Sequence, residues 1–240
     1  MQNRYVGDIG DYGKIGLLRQ ICRSGLSVGM NWYLTPDESH NNDGRHVAYL
    51  QNRSYASCDK DLWEQLGKIV ASDNRHIKGL ENSQILPAAY YSAVLDFADT
   101  PKAERTLLRW QWHTAAMDKL RDCDVIFADP DNGLIVPSAE GGPKSNKYVL
   151  PMELAEYYRA GKSVIYYQHK ARLPDSFYVA QNDALVSSGA FPEVKTMGLK
   201  FRPFSVRYYF FLMQPHHANM LTACAERMLG GPWAKCFERV

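Results

Sequence analysis

Apolar residues along the chain follow two spacings, which predict helices and strands in alternation. Spacings of three and four residues predict helices at 11–22, at 59–70, after Pro87 within 80–97, at 104–120, at 151–160 and at about 217–229. Continuous apolar runs predict strands at 26–34, 125–128 and 163–167, and two further extended segments at 193–201 and 205–213. Residues 183–188 are predicted to be a short helix or a turn.

The order of these elements predicts an α/β fold. Helix and strand alternate through residue 170, which is typical of a Rossmann-like, mostly parallel sheet flanked by helices. The two adjacent extended segments near the end predict an antiparallel C-terminal hairpin at one edge of the sheet. Because the chain has no internal repeat and no low-complexity linker, we expect residues 1–240 to form a single α/β domain.

Composition limits the class of protein. With 28 basic and 26 acidic residues, the net charge of +2 is too balanced to indicate a nucleic-acid partner by itself. The five cysteines include no C-x-x-C pair, which favours reduced thiols over a disulfide framework or a zinc cluster. No signal peptide is evident, and no apolar run approaches the roughly 18 residues that cross a bilayer. We therefore expect a cytoplasmic protein that does not bind membranes.

The turn after the strand at 125–128 is the most informative segment. Pro130 and Gly133 end the strand, and Asp129, Asp131 and Asn132 add two carboxylates and an amide. Open α/β sheets bind their ligands at the carboxyl ends of their strands, where this turn is expected to lie. These three polar residues therefore form our first candidate site.

Two further segments carry a high density of functional groups. Residues 7–14 begin a helix, and they are equally compatible with a simple capping loop and with a site where Lys14 and the glycines approach an anion. Residues 35–46 follow the first strand, and they are equally compatible with a polar turn and with a binding loop. The polar residues of the two segments are Asp8, Asp11, Tyr12, Lys14, Asp37, His40, Asn41, Asn42, Asp43 and Arg45.

The last candidate segments lie on either side of the strand at 163–167. Gln168, His169 and Arg172 follow that strand directly. The Gly-rich loop before it carries hydroxyl, aromatic and basic groups that suit contact with phosphates or bases. Its candidate residues are Lys144, Ser145, Lys147 and Tyr148. His216 and His217 have no third ligand at a suitable spacing, so we predict no metal site there.

The order of these segments resembles the ribosomal-RNA adenine-N6 methyltransferases. Residues 7–14, GDIGDYGK, match the family's G-N-x-x-D-x-x-K segment at Gly7, Asp11 and Lys14, with Asp8 in place of Asn. The segment IFADPDNG resembles the D-P-P-Y motif, and YYFFLMQP resembles the last strands of a class I methyltransferase. The resemblance implies a class I methyltransferase fold that binds adenosylmethionine and a base flipped out of a nucleic acid.

Two departures from that family change the expected chemistry. Residues 35–44 contain one glycine and three acids where the family has a Gly-rich cofactor loop, and Asp131-Asn132 replace the Pro-Tyr that stacks on the base. Carboxylates suit hydrolysis, because they activate water and stabilise a cationic, sugar-like transition state. The leading hypothesis is therefore a DNA-glycosylase-like hydrolase that cleaves the N-glycosidic bond of a flipped base, normal or modified, without a cofactor.

The hypothesis assigns a role to each candidate residue. Asp129 or Asp131 activates water or stabilises the sugar cation, and Asp8 and Asp43 are further catalytic carboxylates. Asn42 and Asn132 contact base edges, and Lys14, Lys144 and Arg172 hold phosphates. The remaining predicted substrate-binding residues are Asp11, Tyr12, Asn41, Arg45, Ser145, Tyr148, Gln168 and His169.

Three alternative functions stay open at this point. The first is an adenosylmethionine-dependent base methyltransferase, as the resemblance implies. The second is a nuclease in which Asp8, Asp11, Asp129 and Asp131 hold Mg²⁺ through their oxygens. The third is a nucleotide-binding module without catalysis. All four functions expect nucleic acid or a nucleotide as the partner, with DNA first, and a role in defence against foreign nucleic acid such as phage DNA is consistent with the chemistry.

Overall fold

The computed structural model describes residues 1–38, 44–72 and 75–240, and its centre is a mixed β-sheet. The strands of this sheet are β1 (Val28–Asn31), β2 (Ala89–Tyr91), β3 (Val125–Ala128), β6 (Ser163–His169), β7 (Lys195–Phe201), β8 (Arg207–Met213) and β9 (Phe237–Arg239). Within the described residues their spatial order is β2-β1-β3-β6-β8-β7-β9. The first four are parallel, and the last three pair antiparallel along the other edge. Two short parallel strands, β4 (Gly133–Leu134) and β5 (Tyr148–Val149), form a separate ribbon.

Helices cover both faces of the sheet. They are α1 (Ile9–Arg23), α2 (Arg53–Ala56), α3 (Lys60–Ala71), α4 (Ile77–Asn82), α5 (Lys102–Lys119), α6 (Pro151–Arg159), α7 (Asp175–Val186) and α8 (Pro215–Gly230). Strand β3 shows why two layers form: Val125 and Phe127 pack into the cluster that holds α1 and α8, while Ile126 and Ala128 pack into the cluster that holds α5 and α6. A parallel strand buried on both faces is apolar at every position, as β3 is.

The α/β prediction, with a mostly parallel sheet and an antiparallel C-terminal edge, is confirmed. The predicted strand at 125–128 coincides with β3, and the predicted hairpin forms as β7 and β8. Strand β6 runs two residues beyond its predicted end, and residues 183–188 belong largely to the longer helix α7. Among the described helices, none has both the length and the apolar character that a membrane span requires.

One predicted helix is wrong, and the short strands β4, β5 and β9 were not predicted. The segment after Pro87 forms strand β2, parallel to β1, rather than a helix. The Tyr90 ring of β2 stacks on Trp32, the residue directly after β1, with centroids 6.2 Å apart, and this aromatic contact stabilises the pairing. Proline suits the first turn of a helix, but it is equally suited to the residues just before an edge strand. Strand β9 is only three residues long, which is too short for a periodic signal.

Close packing places the start of α1 beside the end of β3. Gly13 faces the ring of Phe201, where an added Cβ would lie 2.5 Å from the ring. Gly16 faces Trp233 in the same way, with no room for a methyl group. At the N-terminus of the helix, Asp8 Oδ1 accepts hydrogen bonds from the backbone N–H groups of Gly10 and Asp11. The residues of the first two turns can therefore reach the carboxyl end of β3.

Candidate functional site

Three buried charges join helix α1 to the end of strand β3. Lys14 Nζ lies 2.9 Å from Asp11 Oδ1 and 2.6 Å from Asp129 Oδ2. Burial alone would lower the pKa of Lys14, but the charges of Asp11 and Asp129 outweigh it and raise that pKa. Burial raises the pKa of Asp129, and the Lys14 charge opposes this rise without cancelling it. Lys14 therefore keeps its proton between the two carboxyl groups.

Asp8 is the third buried acid of this cluster and the least constrained. Both of its described hydrogen bonds end on Oδ1, which leaves Oδ2 without a hydrogen bond to any described residue. Burial raises the pKa of Asp8; the Arg207 guanidinium opposes the rise, and the Asp11 charge adds to it. A carboxyl group in this environment takes up and releases a proton nearer neutral pH than an exposed one does.

A cavity of about 400 Å³ opens beside these acids. Its walls come from the start of α1, the turn after β3, the end of β6 and the start of β8. The cavity therefore lies at the carboxyl ends of the parallel strands, where open α/β sheets bind ligands. The lining residues are Met1, Tyr5, Asp8, Gly10, Asp11, Lys14, Glu38, Gly44, His46, Asp129, Pro130, Asp131, Asn132, Lys144, Lys147, Tyr167, His169, Ser205 and Arg207.

The structure brings together residues from four of the predicted segments. They come from the start of α1, from the turn after β3, from the Gly-rich loop before β6 and from the end of β6. The predicted site residues that line the cavity are Asp8, Asp11, Lys14, Asp129, Asp131, Asn132, Lys144, Lys147 and His169. The predicted residues Asn41, Asn42 and Asp43, with their neighbour His40, lie outside the described residues.

Four predicted substrate-binding residues do not line the cavity and make contacts within the fold. Tyr12 lies in the core, where its hydroxyl donates to the carbonyl of Tyr55. The Ser145 hydroxyl donates to Gly142 O, and the Tyr148 carbonyl accepts from an arginine of α5. Gln168 donates to Asn132 O and accepts from Leu134 N, so its side chain supports the turn after β3 from behind.

Two predicted basic residues lie on the outside. Arg45 and Arg172 are exposed, and neither lines the cavity. Arg45 nevertheless lies between two lining residues, Gly44 and His46. Arg172 lies on the exposed segment that leads from β6 to α7, so the assignment of phosphate binding to Arg172 has no geometric support.

Asp131 differs from the other acids because its partners are fixed. Its Oδ2 accepts from Gln2 Nε2 at 2.8 Å, and its Oδ1 lies 2.7 Å from the amino group of Met1. Burial alone would raise the pKa of Asp131, but the Met1 amino group, Gln2 and Lys147 together lower it. Asp131 is thus held as a carboxylate that fastens residues 1–2 to the turn.

Residues 1–2 fill the space between the ends of β1 and β3. Thr35 N donates to Met1 O at 2.9 Å, and the Met1 amino group donates to Tyr33 O at 2.9 Å. The Gln2 side chain is fully buried, with a relative exposure of 0%. The end of β1 is where the resemblance to methyltransferases places the cofactor, and of the described residues 32–38 and 44 only Glu38 and Gly44 line the cavity.

Several cavity residues were missing from the predicted site, and Arg207 is the most important of them. It is the first residue of β8, whose other six residues are aromatic or aliphatic and buried. A single charge in an otherwise apolar strand was the available signal, because a buried charge requires a partner or a function. Tyr5, Glu38, His46, Tyr167 and Ser205 gave no comparable signal.

Within the described residues, no three side chains of His, Cys, Asp or Glu are grouped so that they could hold a metal ion. The reason is visible at α1, where the Lys14 ammonium lies between Asp11 and Asp129.

No protein-family model, curated protein or solved structure matches this chain. Function has to follow from the chemistry of the cavity.

Proposed function

We propose that the chain is a hydrolase that cleaves the N-glycosidic bond of a nucleotide whose base is held in this cavity. The observation that carries the proposal is that two buried carboxyl groups, Asp8 and Asp129, line one polar cavity at the carboxyl edge of the sheet. Glycoside hydrolysis characteristically uses two carboxyl groups in different protonation states. The two carboxyl groups differ in their partners, because the Lys14 ammonium lies 2.6 Å from Asp129 Oδ2 and forms no ion pair with Asp8.

Asp8 is the proposed proton-transfer residue. Its raised pKa favours a protonated carboxyl group, which can donate to a departing base or, when ionised, accept a proton from water. Asp129 is the proposed electrostatic residue. Lys14 binds its Oδ2, and its Oδ1 has no hydrogen bond to any described residue, so this oxygen can face a developing sugar cation.

The cavity volume supports a nucleotide as the bound unit. Pockets for small ligands enclose roughly 300–1,000 Å³, and about 400 Å³ admits one nucleotide but no duplex. A base within a nucleic acid would have to leave the helical stack to enter. Asn132, Lys144 and His169 line the same cavity and offer polar contacts to a base or a backbone. Nucleic acid, DNA first, is therefore the proposed partner.

A base methyltransferase is the second candidate, and the strand order favours it. Strand β8 lies antiparallel between β6 and β7, an ending that agrees with the resemblance to class I methyltransferases. Residues 1–2, however, fill the space at the end of β1. Calorimetric titration with adenosylmethionine separates the two candidates: micromolar binding favours the methyltransferase, and no binding favours the hydrolase.

The hydrolase proposal is tested by mass spectrometry of nucleic acids incubated with the protein. Natural and modified DNA and RNA are examined for released bases, added methyl groups and cut strands. We expect released bases with the wild type and a loss of about 100-fold or more with Asp8→Asn and with Asp129→Asn. Asparagine is also a good N-cap, so the Asp8 variant keeps the start of α1.

Asp122→Asn is the matched control, because the Asp122 side chain is 95% exposed. It should release bases at the wild-type rate. Base release by Asp8→Asn and Asp129→Asn at that same rate would remove both residues from the mechanism. Methylated products without base release would establish the second candidate instead.

A further inference from the structure

Arg207 is a buried cation that lacks the hydrogen bonds which burial normally requires. Its side chain lines the cavity, and the residue is only 4% exposed. Nη2 donates to Ser205 Oγ at 2.6 Å, whereas Nε and Nη1 are buried without a hydrogen-bond partner among the described residues. Unsatisfied buried donors are rare in folded proteins and commonly mark the place of a ligand. The free donors of a positively charged guanidinium group suit an anionic ligand.

Among residues 1–38, 44–72 and 75–240, the groups near Arg207 do not supply that anion. Asp8 is close enough for its charge to act on Arg207, but its described hydrogen bonds go to the backbone of α1. Ser205 is neutral, and the Tyr167 hydroxyl, which lies beside the guanidinium, carries no charge at neutral pH because burial raises its pKa despite the opposing Arg207 charge. The guanidinium charge is therefore only partly compensated by the protein.

Gly10 makes the position of Arg207 possible. A Cβ at residue 10 would lie 2.9 Å from Arg207 Cζ and 3.1 Å from Nη2. The guanidinium thus lies directly against the first turn of α1, where the helix dipole favours negative charge. The backbone N–H groups of that turn are already bonded, those of Gly10 and Asp11 to Asp8 and that of Ile9 to His46 O. Arg207 is left as the principal donor to a bound anion.

We propose that Arg207 binds the phosphate of the substrate, so that the cavity takes a phosphorylated nucleotide rather than a free base or nucleoside. This inference rests on the proposed hydrolase function, whose substrate it defines. The planar fork of arginine matches two oxygens of a phosphate. Lys144 lies on the same cavity and adds a second positive charge. Phosphate binding fixes the sugar relative to Asp8 and Asp129 and so contributes to the rate through positioning.

Thermal unfolding with inorganic phosphate as the probe tests the site without any need for turnover. Phosphate should raise the Tm of the wild type, as any ligand does that binds only the folded state. Arg207→Met should show no such rise. Arg53→Met, which removes an exposed arginine of α2, should respond as the wild type does. Without phosphate, the Tm of Arg207→Met gives the cost of removing the cation beside Asp8, and the phosphate response of the variant is measured from that value.

A second comparison identifies the source of the phosphate. A mononucleotide, the corresponding nucleoside and a single-stranded oligonucleotide are compared at equal concentration. We expect the nucleoside to give no rise in Tm. A rise with the mononucleotide assigns the site to free nucleotides, and a rise with the oligonucleotide alone assigns it to the backbone of a nucleic acid. For base release, we expect Arg207→Met to lower kcat/KM by about 10- to 100-fold on phosphorylated substrates only.

The outcomes separate this proposal from the proposed function. A phosphate-induced rise in Tm that Arg207→Met retains in full would overturn the phosphate site, and so would no rise in the wild type. Equal kcat/KM for nucleoside and nucleotide would overturn it as well, while leaving the hydrolase intact. Protection by phosphate without base release from any substrate would keep the site and reject the hydrolase. A lower Tm of Arg207→Met without phosphate, together with a retained phosphate response, would assign Arg207 to folding alone.

Discussion

Lys14 is the residue on which the charge balance of the candidate site depends. Its side chain is 4% exposed, and its ammonium contacts both Asp11 and Asp129 and lies 5.1 Å from the centre of the Trp32 ring. Lys14→Met should lower the free energy of unfolding by about 3–5 kcal/mol, because two buried acids lose their cation. Urea denaturation at pH 7 measures this loss.

The stability lost in Lys14→Met should diminish as the pH falls. In the wild type the Lys14 charge lowers the pKa of Asp129, so its removal raises that pKa further. Protonation then neutralises the buried carboxyl group in mildly acidic solution and relieves the penalty. A difference between the two proteins that is equally large at pH 7 and pH 4 would contradict this account of the cluster.

Cys58 should be the most reactive cysteine of the chain. A hydrogen bond with Cys236, together with the Lys235 charge, lowers the pKa of Cys58 to about 7. About half of it is therefore thiolate at neutral pH, and the thiolate is the nucleophile. Cys22 is similarly half-buried, but burial raises its pKa to about 11. Alkylation with iodoacetamide between pH 6 and pH 9, followed by peptide mass spectrometry, should modify Cys58 first.

Lys235→Met provides the matching variant. It removes a positive charge that lowers the pKa of Cys58, so the alkylation profile should move to higher pH. The profile of Cys22 should not change, since Lys235 does not contribute to its pKa. Equal alkylation rates of Cys58 and Cys22 at pH 7 would show that the thiol of Cys58 is not activated.

At the scale of elements, helix α1 depends on glycines that face bulky aromatic rings. An added methyl group at Gly13 would overlap Phe201, and one at Gly16 would overlap Trp233. Gly13→Ala and Gly16→Ala should each lower the free energy of unfolding by about 1–3 kcal/mol through overpacking. This occurs although alanine is the better helix former by about 1 kcal/mol.

Gly67 of α3 is the control for those two substitutions. A Cβ at Gly67 would meet only Leu50, at 3.9 Å, which is ordinary contact. Gly67→Ala should therefore raise the free energy of unfolding by about 0.5–1 kcal/mol, in line with helix propensity alone. Urea denaturation of the three variants gives the comparison. Stabilisation by all three would mean that α1 has room to move away from the rings.

These glycines also show what the sequence could and could not predict. Strand β3 was predicted to the residue, because four apolar residues between polar ones leave little choice. The glycines of residues 7–14 were interpreted as giving access to an anion. In the structure only Gly10 of these three faces a charged group, whereas Gly7 faces Val70 and Gly13 faces the ring of Phe201. The partner of a glycine lies far along the chain, so local spacing does not reveal it.

The candidate site was also predictable only in part, because the sequence shows the order of elements but not every long-range contact. Carboxyl ends of parallel strands meet at one edge, so polar residues such as Asp129 and His169 could be placed together from the order of elements. Arg207 enters the cavity from the antiparallel strand β8, at its first residue, and the parallel-strand rule does not cover that position. The burial of Tyr12 could not be foreseen either, since Tyr12 lies between two cavity residues along the sequence.

At the scale of the whole molecule, a second buried ion pair lies on the opposite side of the sheet. Arg109 of α5 contacts Glu153 of α6 through two hydrogen bonds of 2.7 and 2.8 Å. The same guanidinium donates to the carbonyl groups of Ser145 and Tyr148. It therefore ties two helices to residues 144–148, the segment whose Lys144 and Lys147 line the cavity. The position of that cavity wall depends on an ion pair outside the cavity.

The ion pair predicts that the free energy of unfolding decreases as the solution becomes acidic. Burial alone would raise the pKa of Glu153, but Arg109 outweighs it and the pKa is lowered. The native carboxylate thus binds a proton less readily than the unfolded one, so its contribution is present above the unfolded pKa of about 4.3. This stabilising contribution is lost as the pH falls through the pKa of Glu153 in the folded protein. Glu153→Gln should cost about 3–5 kcal/mol at pH 7, and the difference from the wild type should narrow below pH 4.

Hydrogen exchange then shows whether the ion pair reaches the cavity. In Arg109→Met, the amides of residues 144–148 should exchange faster than in the wild type, because two of their carbonyl groups lose a donor. Amides of the buried strand β3 should accelerate only by the factor that matches the loss of global stability, because they exchange through global unfolding, and residues 144–148 should accelerate by more than that factor. Phosphate should stabilise Arg109→Met less than the wild type, because Lys144 depends on the loosened segment. If exchange stays slow at 144–148, the loop is held by its own packing, and the two sides of the sheet are independent.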